Sequence, residues 1–235
     1  MNREHVMRLL PDRPRQAVKR ASTLGMRRDL NRLAKTYRTD KAIHDHSYTP
    51  LYVRHLPPRK AVRSLLEIGI GGITSKWGYE TSEGGASLRM WQDYFPAAQI
   101  VGLDLYEKAV RGPRIHVEQG SQDDPEVLCR VAERHGPFDV IIDDGSHIGR
   151  HQIASFGRLF GALKPGGLYV IEDLETAYRD DFEGGPPGTP STAATLLKDA
   201  VDAVLRRFWG GGDAPEIHEL HVYDEIAFLV KAPSP

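Results

Sequence analysis

Two short apolar runs, each stopping at an acidic pair, constrain this chain more than any other feature. Phe138-Asp-Val-Ile-Ile-Asp-Asp-Gly-Ser-His147 is followed, one helix length later, by Lys164-Pro-Gly-Gly-Leu-Tyr-Val-Ile-Glu-Asp173. Val140 to Ile142 and Leu168 to Ile171 are rich in β-branched residues, which suits strands buried on both faces of a parallel sheet. Between them Ile153, Phe156, Leu159, Phe160 and Leu163 recur at helical spacing, and Pro165-Gly166-Gly167 is expected to end that helix. The predicted unit is β-α-β. Loops after parallel strands open on one edge, where open α/β folds bind ligands. Asp143, Asp144, His147, Glu172 and Asp173 are therefore expected to converge. Clustered carboxylates resist joint ionisation unless a cation or protons offset their charge. A hard divalent ion with oxygen ligands, most simply Mg²⁺, answers that need. The bland alternative is that Asp144 or Asp173 only caps the next helix.

With 235 residues, the chain is long enough for one large domain or for a domain with an appendage, and one domain is expected. Lys and Arg total 31 against 32 Asp and Glu, a net charge of −1 that gives no global case for nucleic acid or an anionic membrane as partner. Cys129 is the single cysteine, so there is no internal disulfide and no cysteine cluster for zinc. No apolar run reaches the length of a membrane span and no signal-peptide core is evident, so a soluble, cytoplasmic protein is expected.

The N-terminal sixty residues read as a helical extension and lid, and residues 61–235 as the main domain. Met1 to Arg38 is rich in arginine, with Leu24, Met26, Leu30 and Leu33 spaced for one or two short amphipathic helices. Tyr37 to His55 is dense in polar rings, including His44, His46, Tyr48, Tyr52 and His55, without a regular metal-ligand spacing. Such a segment suits a cover over the strand ends.

Ser64 to Ile70 is the first predicted strand and runs into Gly71-Gly72, where glycine permits positive φ and close approach of backbone to a ligand. The Gly-x-Gly-x-x-Gly dinucleotide spacing is broken after Gly71. A long loop, Ile73 to Gly85, carries Trp77, Tyr79, Glu80 and Glu83, before Leu88, Trp91 and Phe95 mark a helix. Gln99 to Leu105 is the second strand, and Asp104 at its end is placed to accept hydrogen bonds from ribose hydroxyls. Arg114 to Glu118 follows as a third strand, and the polar turn Gln119-Gly-Ser121-Gln122 is placed to face an adenine edge. Asp123 to His135 reads as a helix, as do Leu196, Leu197, Ala200, Val204 and Phe208. Ile217 to Tyr223 and Ile226 to Val230 are expected to form a terminal antiparallel hairpin. The alternation argues a doubly wound α/β sheet with helices on both faces.

Glu67-Ile-Gly-Ile-Gly-Gly, Asp104, the Asp-Asp-Gly-Ser-His segment and the Val-Ile-Glu-Asp segment together resemble the class I S-adenosylmethionine-dependent methyltransferases. More narrowly, from Thr39-Asp-Lys41 to about Tyr178, the chain is similar to the metal-dependent sugar O-methyltransferases of actinobacteria. That resemblance implies a Rossmann-like sheet, mostly parallel with a C-terminal antiparallel hairpin. It implies that Glu67, Gly69, Gly71, Asp104, Ser121, Gln122 and Asp143 hold S-adenosylmethionine, that Asp144, Glu172 and Asp173 hold Mg²⁺, and that His147 is the general base. The acceptor implied is a carbohydrate: a macrolide-type glycoside or a methylmannose polysaccharide precursor. The chain departs from macrolide-glycoside members in lacking their large separate N-terminal domain, and a compact polysaccharide-modifying relative fits its size. A homo-oligomer, with a dimer as first choice, is expected.

The implied reaction is methyl transfer to a hydroxyl, with His147 taking its proton. A catechol-type O-methyltransferase would share the metal site, a nicotinamide oxidoreductase would share the sheet but needs a different glycine spacing, and a non-catalytic cofactor-binding module would keep the pocket alone.

Overall fold

The computed structural model describes residues 27–71, 84–210, 212 and 215–234. The arginine-rich stretch up to residue 26 and the loop residues Trp77, Tyr79, Glu80 and Glu83 lie outside the described residues.

The strands are β1 (Ser64–Ile68), β2 (Gln99–Asp104), β3 (Ile115–Gln119), β4 (Phe138–Asp143), β5 (Leu163–Glu172), β6 (Ile217–Val222) and β7 (Ile226–Lys231). Among the described residues they form one sheet in the order β3-β2-β1-β4-β5-β7-β6. The first five are parallel. β7 runs antiparallel to both β5 and β6, the reversed end that the sequence predicts. The chain reverses its direction of travel across the sheet between β1 and β4, and ligands of open α/β sheets bind at such a switch point.

Six α-helices are described: α1 (Leu30–Tyr37), α2 (Tyr48–His55), α3 (Ala86–Tyr94), α4 (Pro125–His135), α5 (Gly149–Leu159) and α6 (Ala193–Val204). Their starts follow from local chemistry. Asp29 accepts from the Arg32 amide at the head of α1, and Asp124 accepts from Glu126 and Val127 at the head of α4, where Pro125 takes the first turn. Thr192 and Thr195 make a reciprocal capping box on α6.

Side chains alternate across each central strand and so feed two apolar layers. Leu65, Val140, Ile142, Val170 and Phe228 pack with α1, α2 and α3. Leu66, Ile68, Ile141, Tyr169 and Ile171 pack with α4, α5 and α6 on the other face. Leu30, Leu33, Tyr48 and Tyr52 are buried in the first layer, so the segment before β1 shares the core of the sheet.

Two element ends differ from expectation. The helix after β4 ends at Leu159, and Leu163 opens β5 opposite Phe138. The ladder shifts register between Phe138 and Val140, which accommodates Lys164 to Gly167 inside the strand. Leu163 is a buried apolar residue in either assignment, so periodicity alone could not place it. α6 stops at Val204, and Phe208 lies in the following 3₁₀ turn, 72% exposed rather than on a buried helical face. No helix among the described residues is long and apolar enough to cross a membrane.

Candidate active site at the strand ends

The register fixes which strand ends meet. Ile68 pairs with Leu103 on one side and Asp143 on the other, and Asp143 pairs with Ile171. Gly69, Asp104, Asp144 and Glu172 therefore leave the sheet in one row. Gly69 has φ 77°, and a Cβ there would sit 1.9 Å from the carbonyl oxygen of Asp144. Only glycine lets the two exits cross so closely.

Beyond this crossing, Asp144, His147 and Asp173 form one cluster. His147 Nε2 lies 3.4 Å from Asp173 Oδ2 and 4.0 Å from Asp144 Oδ1. One donor atom from each of the three residues lies within 4.8 Å of the others. His147 and Asp173 adopt left-handed backbone, with φ 58° and 56°. Strain of that kind in non-glycine residues concentrates where side chains must be aimed. Thr176 Oγ1, 2.6 Å from the carbonyl oxygen of Asp173 and 3.2 Å from that of His147, ties the two loops together. Neither carboxylate caps a helix: α5, preceded by Ile148 at its N-cap, has no side-chain cap, and the 3₁₀ turn Leu174–Tyr178 after Asp173 has none either. The capping alternative does not describe this site.

Glu172 takes a different direction. Its Oε2 lies 2.6 Å from Lys41 Nζ, and its Oε1 accepts a short hydrogen bond from Tyr52. Lys41 Nζ is also 2.5 Å from Asp144 Oδ2 and 3.6 Å from Glu67 Oε1. One ammonium, only 1% exposed, thus faces carboxylates from the ends of β1, β4 and β5. Burial alone would lower the Lys41 pKa, but Asp144, Glu172 and Glu67 outweigh it and hold the ammonium protonated. Burial also pushes the Asp144 carboxyl up to about 7 despite Lys41, with Asp40 and Asp173 adding to the rise. Glu172 is raised by burial and by Asp144. On the far side of Asp173, Tyr48 donates to Oδ1 at 2.6 Å, and His46 Nδ1 lies 3.2 Å from Glu225 Oε2 in the β6–β7 turn.

A cavity of about 300 Å³ opens beside this cluster at the ends of β1 and β2, lined by Gly69, Asp104, Tyr106, Ser121, Gln122 and Ser146 among others. Asp104 accepts from the amides of Ile70 at 3.1 Å and Tyr106 at 3.0 Å. A carboxylate has about four acceptor sites, so capacity for further donors remains. Gly71, with φ 64° and no atom of the described residues within 4 Å of where a Cβ would stand, gives its carbonyl to Lys108 Nζ at 2.6 Å. Ser121 hydrogen-bonds Asp123. Gln122 braces the wall, donating to Asp143 Oδ1 at 3.0 Å and accepting from the Ser146 amide at 2.6 Å.

Two expected cofactor contacts lie behind the cavity wall. Asp143 is fully buried against Gln122, Ser155 and Tyr169. Glu67 is fully buried and accepts from Ser87 Oγ at 2.6 Å and Trp91 Nε1 at 3.2 Å. Lys41, although part of the Thr39-Asp-Lys41 signature, carried no role in the sequence reading. No spacing rule connects position 41 with positions 144 and 172, and only the polar density of Tyr37 to His55 signalled that this segment reaches the site.

The donor set fits a divalent cation. Carboxylate oxygens of Asp144 and Asp173 lie close together beside His147 Nε2, and two carboxylates so placed repel unless a positive charge sits between them. His147 Nδ1 is buried without a hydrogen-bond partner among the described residues, consistent with a ring placed by its Nε2 side. The cavity, with glycine backbone and the Asp104 carboxylate in its lining, fits a ribonucleoside.

Comparison with known proteins places these features in context. No protein-family model matches the chain. It is 43% identical over 219 residues to the 8-demethyl-8-(2-methoxy-alpha-L-rhamnosyl)-tetracenomycin-C 3'-O-methyltransferase of Streptomyces olivaceus, a match covering 86% of this chain and 54% of that protein. It is 44% identical over 216 residues to the mycinamicin VI 2''-O-methyltransferase of Micromonospora griseorubida, covering 86% and 52% respectively. The chain thus spans about half the length of these relatives. Among solved structures, the MycE methyltransferase of the mycinamycin biosynthetic pathway, in complex with Mg, SAH and mycinamycin VI, superposes with a TM-score of 0.78 at 43% identity, covering 87% of this chain and 55% of that one. With the strand order, the reversed last strand and this level of identity in agreement, the chain belongs to the class I methyltransferase family, alongside the sugar O-methyltransferases just named.

Proposed function

We propose that this chain transfers a methyl group from S-adenosylmethionine to a sugar hydroxyl of a glycoside or oligosaccharide, with a divalent ion at Asp144 and Asp173. The observation that carries the reading is the adjacency of the Asp144–His147–Asp173 cluster to the cavity lined by Gly69, Asp104 and Gln122. The relatives support it: two are named as O-methyltransferases of glycosylated natural products, and the MycE complex holds Mg and SAH.

When bound, the sulfonium cofactor supplies the methyl group and the divalent ion eases loss of the hydroxyl proton. The remaining tasks fall to the chain. Asp104 accepts from ribose hydroxyls while its other lone pairs stay on the Ile70 and Tyr106 amides. The backbone at Gly69 and Gly71 admits the amino-acid portion, and Ser121 and Gln122 flank the base. Glu67 and Asp143 act from behind the wall, holding Trp91, Ser87 and Gln122 in place. Asp144 and Asp173 orient the acceptor oxygen, while Glu172 stays outside the cluster on Lys41 and Tyr52. His147 takes the hydroxyl proton at Nε2, the ring atom that faces both carboxylates. The sugar oxygen gains the methyl carbon, the carbon–sulfur bond breaks, and its electron pair returns to sulfur.

The chain works in this reading as a cytoplasmic enzyme, in a homo-oligomer of which a dimer is the simplest form, without nucleic acid. The test is transfer of isotope-labelled methyl from S-adenosylmethionine to a panel of rhamnosyl, mycinamicin-type and mannosyl glycosides, with a catechol as control. Label on a glycoside oxygen supports the reading, and label only on the catechol, or none, overturns it.

A further inference from the structure

Among the described residues Lys41 is the largest fully buried charged side chain, and it has no part in the chemistry above. Its ammonium holds Asp144 Oδ2 at 2.5 Å and Glu172 Oε2 at 2.6 Å, with Glu67 Oε1 at 3.6 Å. Asp144 is therefore shared: Oδ2 belongs to Lys41 and Oδ1 faces His147. Glu172, next in sequence to Asp173, is held out of the cluster by Lys41 and Tyr52.

We propose that Lys41 is a positioning residue that competes with the divalent ion: a tethered cation that occupies one oxygen of Asp144 and the carboxylate of Glu172, and so sets how tightly the neighbouring cluster binds a metal. Two positive charges on one carboxylate repel, and at the effective dielectric of a protein site that repulsion changes affinity by about ten-fold or more. A weaker ion site exchanges its ion readily, while the ammonium keeps the three strand ends together in the ion's absence. Lys41 differs here from a mere structural salt bridge, because its removal is expected to strengthen another ligand's binding.

This inference rests on the reading of Asp144 and Asp173 as an ion site beside His147. The test is Mn²⁺ binding to the whole chain without cofactor or acceptor, followed by electron paramagnetic resonance. Lys41→Met is expected to bind Mn²⁺ about ten-fold more tightly than the unmodified chain, and Lys41→Arg, which keeps the charge, is expected to stay close to it. If Lys41→Met does not fold, the double variant Lys41→Met with Glu67→Gln removes one buried carboxylate together with the cation, and the same tightening is expected. Unchanged or weaker Mn²⁺ binding in a folded Met variant overturns the competition. A chain that binds Mn²⁺ equally well with Asp144→Asn and Asp173→Asn overturns instead the ion site on which it rests.

Discussion

Lys41 Nζ lies 2.5 Å from Asp144 Oδ2, across 103 positions of sequence. The contact joins the segment before β1 to the loop after β4, and through Glu172 to the end of β5. The acidic row at the sheet edge is thereby half neutralised from inside the protein. The half that remains, Asp144 Oδ1 and Asp173 Oδ2, faces His147.

His147→Asn isolates the imidazole. Asparagine tolerates the left-handed backbone that position 147 adopts, so the loop is expected to keep its course. Loss of the base is expected to lower kcat by about 10²- to 10⁴-fold with the melting temperature nearly unchanged. Single-turnover methyl transfer and thermal unfolding measure the two effects, and full activity in the variant would remove His147 from the proton transfer.

Most of this site was legible in the chain because two strand ends announce themselves by local composition. Asp144, His147 and Asp173 are found from runs that stop at acidic pairs, and parallel pairing then dictates that they meet. Glu172 shows the limit of such reasoning. Adjacent residues at a strand end point to different sides, and Tyr52 and Lys41, 120 and 131 positions earlier, claim its carboxylate. Glu67 and Asp143 show a second limit. A carboxylate at a strand end reads as ligand-facing, yet both turn inward where Trp91 and Ser155 supply donors. Such long-range partners have no signature in spacing or periodicity.

Removal of divalent ions separates the two halves of the site. A chelator is expected to abolish methyl transfer, and added Mg²⁺ or Mn²⁺ to restore it, because the acidic cluster loses the charge that lets it act on a hydroxyl. Binding of S-adenosylhomocysteine is expected to persist, since Asp104 and Gln122 lie outside the ion's donor set. Calorimetry of the chelated protein checks the second statement.

Gly69 and Gly71 are expected to fail differently. Gly69→Ala places a methyl group 1.9 Å from the Asp144 carbonyl oxygen at φ 77°, and about 3 kcal/mol or more of stability is expected to be lost. Gly71→Ala meets no atom of the described residues at φ 64° and is expected to cost only about 1 kcal/mol of backbone strain. The Gly71 variant should therefore fold, and weakened S-adenosylhomocysteine binding in it would tie this glycine to the cofactor. Denaturant unfolding of both variants tests the contrast.

Acid sensitivity has an identifiable contributor outside the cavity lining. Burial pushes the Glu118 carboxyl up, but the hydrogen bond from His135 and the charge of Arg134 outweigh it and hold it below the ordinary glutamate range. A depressed folded-state value means stabilisation that is present above the unfolded pKa, about 4.3 for glutamate, and is lost as pH falls through the folded value. Glu118→Gln is expected to flatten the fall in stability below roughly pH 4.5 without altering methyl transfer at neutral pH. Melting temperatures across that acid range supply the measurement.

Tyr48 aims Asp173 without touching the cavity. Its hydroxyl donates to Oδ1 at 2.6 Å, and burial together with the Asp173 charge raises its pKa, so it remains a donor throughout the working range. Tyr48→Phe removes that donor and leaves one buried lone pair of Asp173 without it, costing about 1 kcal/mol of stability. Because Oδ2 is the oxygen facing His147, a freely turning carboxylate is expected to disturb the cluster and lower kcat. KM for S-adenosylmethionine is expected to stay constant, since Tyr48 does not line the nucleoside cavity. A rise in that KM with kcat unchanged would instead assign Tyr48 to cofactor binding.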